Sequence, residues 1–195
     1  MALATTHILM ETSFFFGLGG DGATSAPHWS RVEDCELWPV RPPIKFCGAM
    51  KTTFSFGLGG TMQLIPTIAA LVCDGLFERH PKLKVAIVES GAGYVRYLMD
   101  RLDEKYDRFS ETSCLSRPPS EYIRESFWFV MDPGEASIDA QCDLVGENRF
   151  LWGSDYPHVD SHMNAVSEVY EAIAPMSEAR QRLVLGENAR RLFNL

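Results

Sequence analysis

Apolar positions in this chain keep two different rhythms on either side of about Gly60. Before it, no helical period is sustained. Met10-Glu11-Thr12-Ser13-Phe14-Phe15-Phe16 has the character of a strand, ended by the breaker Gly17-Leu18-Gly19-Gly20. Three prolines in Trp38-Pro39-Val40-Arg41-Pro42-Pro43 exclude a helix and disfavour a central strand. Residues 1–60 therefore read as a mostly irregular segment rich in glycine, proline and aromatics. After it, helices alternate with short apolar strands. Leu64, Ile65, Ile68, Leu71, Val72 and Phe77 share one helical face, and that helix stops before Pro81. Val85-Ala86-Ile87-Val88 is apolar throughout, as a strand covered on both faces is. Gly91-Ala92-Gly93 turns the chain into a helix bearing Val95, Leu98, Leu102 and Tyr106. The next strand is Phe127-Trp128-Phe129-Val130, followed by the turn Met131-Asp132-Pro133-Gly134 and a helix of about ten residues. Gly146-Glu147-Asn148 leads into Phe150-Leu151-Trp152-Gly153, and two helices follow over 161–174 and 178–193, with Pro175 between them.

This order of strand and helix with short connections predicts an α/β fold of parallel strands flanked by helices. A closed eight-stranded barrel takes about 250 residues, more than the 195 present. In parallel α/β folds, ligands sit at the carboxyl ends of the strands. Glu89-Ser90 ends the first of the three strands, Asp132 follows the second and Ser154-Asp155 ends the third, so three carboxylates are expected on one rim. One such carboxylate alone is often a helix cap; three together, one of them inside Gly153-Ser154-Asp155-Tyr156-Pro157-His158, point to chemistry. Asp155 suits a metal ligand that also takes a proton from metal-bound water. His158 stands where it would hold substrate or act as acid or base, and His162 is placed on the first turn of the next helix. His80 precedes its strand and belongs on the opposite rim, as a structural residue. His7 and His28 lie in the unpatterned segment and take no assignment.

Composition narrows the classes. A net charge of −8 argues against a general nucleic-acid binder, which needs a basic face. No apolar run reaches the roughly 18 residues of a membrane helix, and Met1 to Met10 makes a poor signal peptide. The cysteines Cys35, Cys47, Cys73, Cys114 and Cys142 form no C-x-x-C pair, which fits reduced thiols in the cytoplasm. Phe14-Phe15-Phe16-Gly17-Leu18-Gly19-Gly20 recurs as Phe54-Ser55-Phe56-Gly57-Leu58-Gly59-Gly60. The first copy reaches Gly22 and fits G-x-G-x-x-G, but no helix opens behind it. The second leads into a helix and lacks the third glycine. Both read as glycine turns rather than nucleotide sites.

Several stretches resemble the amidohydrolase-2 family, of the aminocarboxymuconate-semialdehyde decarboxylase type. They are residues 74–85 (Asp74-Gly75-Leu76-Phe77 through Val85), Val88-Glu89-Ser90-Gly91-Ala92-Gly93-Tyr94 and Leu98-Met99-Asp100-Arg101-Leu102-Asp103. Two more follow, Leu151-Trp152-Gly153-Ser154-Asp155-Tyr156-Pro157-His158 and the tail from Leu185-Gly186-Glu187-Asn188 to Phe193. The resemblance runs from about residue 62 to the end. It implies a partial (β/α)₈ TIM barrel, roughly strands six to eight with their helices over residues 61–195, preceded by the irregular segment. It implies one divalent metal, zinc or manganese, and hydrolysis or non-oxidative decarboxylation of a small carboxylated substrate, aromatic in many members. In that scheme Asp155 binds the metal and handles a proton. Glu89 and His158 orient substrate as the other catalytic residues, and Ser90, Asp132 and His162 line its binding site. The family's His-x-His or Glu-x-His pair from the first strand is missing, the histidine after the fifth strand has no counterpart, and Ser90 stands where many members carry the first residue of His-Gly-Gly-Gly. A half-barrel exposes strand edges and an apolar interior, so a homo-oligomer is expected. The alternative is a non-catalytic remnant serving as an interaction or oligomerisation module.

Overall fold

The computed structural model describes residues 7–11, 53–157 and 161–195. Four parallel strands form one sheet in the order β1-β2-β3-β4: His7–Glu11, Lys84–Val88, Phe127–Met131 and Phe150–Trp152. The register pairs Glu11 with Val88, Ile87 with Phe129, and Met131 with Trp152. The three strands expected from the apolar runs are present. The fourth, β1, lies at 7–11 and shares Met10 and Glu11 with the expected strand at 10–16, whose residues 12–16 lie outside the described residues.

Helix α1 spans Thr53–Cys73 and so takes in the second glycine-rich copy, which was expected as a turn ahead of the helix. Leu64, Ile68 and Val72, four residues apart, are the buried stripe that anchors it. It is not continuous with Phe77. Gly75, at φ +71, ends it, and α2 (Leu76–Arg79) starts afresh. A side chain at Gly75 would place Cβ 2.9 Å from Cys114 Sγ, so both backbone and space require glycine there. His80 closes α2 through its backbone, N–H to Leu76 O at 2.8 Å, ahead of β2.

Helix α3 (Val95–Phe109) buries Val95, Leu98 and Met99. Helix α4 (Pro119–Ser126) has no counterpart among the expected elements, because its apolar content is only Tyr122 and Ile123, too little for a period. It is set from outside, with Asp103 Oδ1 of α3 accepting from Ser120 N at 2.9 Å. Helix α5 (Ile138–Val145) follows β3, and α6 (Ala165–Ile173) follows the loop after β4. The expected single helix over 178–193 resolves into α7 (Glu178–Arg182), a π turn (Leu183–Glu187) and α8 (Asn188–Phe193).

The sheet has two unequal faces. Val85, Ile87, Phe127, Phe129, Met131 and Phe150 point into the main core, where α1 to α6 cover them. Phe127 and Phe129 stack at 6.1 Å and Phe129 meets Phe150 at 6.3 Å. The opposite face carries the smaller cluster of Ala86, Trp128, Leu151 and Leu192, the last from α8. Arg149 and Lys84 lie over the Trp128 ring at 4.5 and 5.5 Å, closing the end of the sheet where the strands begin.

Candidate functional site at the carboxyl ends of the strands

Because all four strands run the same way, their carboxyl ends share one edge, and three connections emerge there. The first is Glu89 to Tyr94, between β2 and α3. Glu89 and Gly91 both take left-handed backbone, at φ 57 and φ 60. Ser90 is buried. Its carbonyl accepts from Thr61 Oγ1 of α1 at 2.9 Å, and its Oγ donates to Gly91 O at 3.2 Å and lies 3.3 Å from the Tyr94 hydroxyl. Burial pushes the Tyr94 phenol up to about 12, against the pull of the Ser90 hydrogen bond.

The second connection, Asp132 to Ser137, faces the first. Both carboxylate oxygens of Glu135 accept from the Ala92 amide, at 3.0 and 2.9 Å, and Ser137 Oγ donates to Oε1 at 3.2 Å. A side chain at Gly91 would reach 3.5 Å from both Asp132 Oδ2 and Glu135 Oε2; one at Gly93 would come within 3.2 Å of Glu135 Oε1. Burial raises the Glu135 carboxyl above its ordinary value, and neighbouring Asp132 raises it further. Gln141 of α5, itself buried, donates Nε2 to Gly93 O at 3.0 Å.

The third connection follows β4. Asp155 is half-buried with φ 57, the same left-handed turn that Glu89 makes after β2. Ser154 ties the loop, its Oγ accepting from Tyr156 N and its carbonyl from His162 N, both at 3.3 Å. His162 does not lie on the helix, as expected, but in the turn ahead of it, three residues before Ala165. Its Nδ1 is 2.5 Å from Glu168 Oε2 of α6. Its position one turn earlier follows from Asn164, which with φ −112 is the residue that starts α6.

The structure thus brings Glu89, Ser90 and Asp132 to adjoining strand ends and sets Asp155 at the next one, while His162 is bound to α6 by its ring. His158 lies outside the described residues. Glu135 escapes sequence reasoning: an acid three residues after Asp132, on the way into a helix, has the signature of an ordinary helix-entry carboxylate. Only the facing Gly91-Ala92-Gly93 turn reveals its partner.

The amidohydrolase-2 sequence profile, described as amidohydrolase, matches residues 13–195. The chain belongs to the amidohydrolase family. It is 26% identical over 201 residues to γ-resorcylate decarboxylase of Rhizobium sp. (strain MTP-10005), covering 92% of this chain and 60% of that protein. An amidohydrolase from Mycobacterium avium subsp. paratuberculosis superposes with a TM-score of 0.62 at 26% identity, over 68% of this chain and 33% of that one. A dihydroxybenzoic acid decarboxylase from Polaromonas sp. JS666, crystallised with manganese and 2-nitroresorcinol, superposes with a TM-score of 0.55 at 21% identity, over 72% and 41%. The chain spans between 36% and 60% of the length of the curated relatives it matches.

A catalytic divalent ion takes three or four protein ligands. Among the described residues, no three His, Cys, Asp or Glu side chains converge in a group fit to hold one. Asp155 is expected as one ligand, and the described residues place no two others beside it.

Proposed function

We propose that this chain carries the carboxyl-end rim of a metal-dependent decarboxylase for a hydroxylated aromatic carboxylate. In this reading β2, β3 and β4 are strands six to eight of a (β/α)₈ barrel, with β1 beside them. Asp155 supplies one ligand to a divalent ion, manganese by analogy with the Polaromonas enzyme, and the remaining ligands come from outside the described residues. The observation that carries the proposal is the common rim of Glu89, Asp132 and Asp155 in a chain that matches an aromatic-acid decarboxylase over most of its length. A rim of carboxylates repels a carboxylate substrate unless a cation lies between them, which favours the metal over a metal-free reading. In this reading Glu89 and His158 orient the substrate, and Ser90, Asp132 and His162 bind it. The net reaction replaces the ring's carboxylate with a proton and releases carbon dioxide.

The test is elemental analysis of the purified chain after manganese or zinc supplementation, with release of resorcinol from γ-resorcylate followed beside it. About one ion per chain, lost in Asp155→Asn together with turnover, is the expected result. Asparagine keeps the shape and tolerates the left-handed backbone, so that variant folds and reports the charge alone. No bound ion in the native chain, with no resorcinol released, sinks the proposal.

A further inference from the structure

Glu135 grips the backbone of the facing connection with both carboxylate oxygens, and the proposed function does not use it. We propose that Glu135 is a positioning residue: it holds the Ala92 amide and thereby fixes how the turn after β2 presents Ser90 and Glu89. The proposal rests on the rim being the active site, and three observations carry it.

The contact is bidentate on one amide, at 3.0 and 2.9 Å, and spans two separate strand-end connections. The turn is shaped to admit it, since a side chain at Gly93 would crowd the carboxylate at 3.2 Å and Gly91 takes left-handed backbone beside it. The buried Gln141 side chain holds the next carbonyl of the same turn at 3.0 Å, so Ala92 N–H and Gly93 C=O are both clamped from the β3–α5 side. The clamped residues adjoin Ser90, whose own carbonyl is fixed from α1 by Thr61. The turn is therefore held on both sides of the serine.

The charge state supports the same role. Burial raises the Glu135 carboxyl, and the titratable groups facing it are Asp132, which raises it, and Tyr94, whose phenol it raises in turn. A carboxyl with a raised folded value contributes stability below its unfolded value and loses it as pH rises through the folded one.

The experiment follows the Ser90 and Ala92 amides and the Glu135 carboxyl carbon by NMR across pH 4 to 8, in the full chain and in Glu135→Gln. Both amides should move with the Glu135 midpoint, above the ordinary glutamate value, and stay flat in Glu135→Gln. The thermal midpoint of that variant at pH 8 should equal or exceed that of the native chain. In the turnover assay Glu135→Gln should lose about tenfold in kcat with KM held, as a slight misplacement does, and Glu135→Asp should not restore it, being one methylene short. A Ser90 amide that ignores the Glu135 titration overturns the proposal, as does an unchanged kcat and pH profile in Glu135→Gln. If the native chain has no turnover the proposed function fails, and the amide titration still decides the clamp.

Discussion

Glu78 shows how one residue can report on its surroundings. Its Oε1 accepts a short hydrogen bond from the Tyr122 hydroxyl and another from Ser116 N at 2.6 Å, while Arg117 lies over the Tyr122 ring at 4.4 Å. The Tyr122 hydrogen bond is the largest of the causes that lower its carboxyl from the ordinary 4.5 to about 2. With the folded value depressed, the contribution to stability is present above pH 4.5 and is lost as pH falls toward 2. Tyr122→Phe should therefore bring the Glu78 midpoint back toward 4.5 and move acid unfolding to higher pH. Carboxyl titration by NMR checks the first and circular dichroism across pH 2 to 5 the second; an unmoved Glu78 midpoint would refute the assignment. At the candidate site, individual residues were legible to the extent that strand direction alone places them. Glu89, Asp132 and Asp155 follow apolar strands, so their side of the sheet is fixed once the strands are parallel. The left-handed backbone of Glu89 and Asp155, the hold of Glu135 on Ala92 and the attachment of His162 to Glu168 depend on facing loops, and no local pattern encodes those.

Elements were legible where a periodic apolar stripe spans them and obscure where a partner supplies the order. Strands β2 to β4 and the start of α3 fall where their apolar runs put them. Helix α4 needs Asp103 from α3, and β1 needs the edge of β2. The chain after Glu178 is the clearest divergence, because a continuous helical period hides a π turn. That wider turn brings Asn188, almost fully buried, round to β4, where Nδ2 donates to Glu147 O at 2.8 Å and to Phe150 O at 2.9 Å. Asn188 is thus the polar lock between the C-terminal helices and the last strand. Asn188→Ala removes both bonds and leaves a buried carbonyl without its donor, at a cost of about 1–3 kcal/mol. Urea unfolding should show a lower midpoint with the denaturant slope unchanged. Arg180 makes the companion tie, reaching Asp139, Asp143 and Glu147 at 2.6, 2.7 and 3.3 Å. Its carboxylate partners are largely solvated, so Arg180→Ala should cost less than Asn188→Ala, about 1 kcal/mol, and that cost should shrink further in 1 M salt.

At the scale of the molecule, both faces of the sheet bury apolar residues, the deep core under α1 to α6 and the smaller cluster of Ala86, Trp128 and Leu151 with Leu192 of α8. Among the described residues the sheet has four strands, with β1 and β4 at its edges. An ion bound at Asp155 would link the end of β4 to ligands on other segments, so its binding should stabilise the whole unit rather than one loop. An ion at a hundredfold its dissociation constant adds about 2.7 kcal/mol to the folded state. For a chain of this size each kcal/mol raises the unfolding midpoint by about 2–4 °C, which gives a rise on the order of 5–10 °C. The native chain should show that rise on saturation with manganese and lose it on adding a chelator, while Asp155→Asn should unfold at the same temperature with and without the ion. A shift that survives in Asp155→Asn would place the ion elsewhere on this acidic surface. A native chain that ignores manganese would mean that the ligands beyond Asp155 are not assembled in it, and the rim would then hold its geometry without the charge that a carboxylate substrate requires.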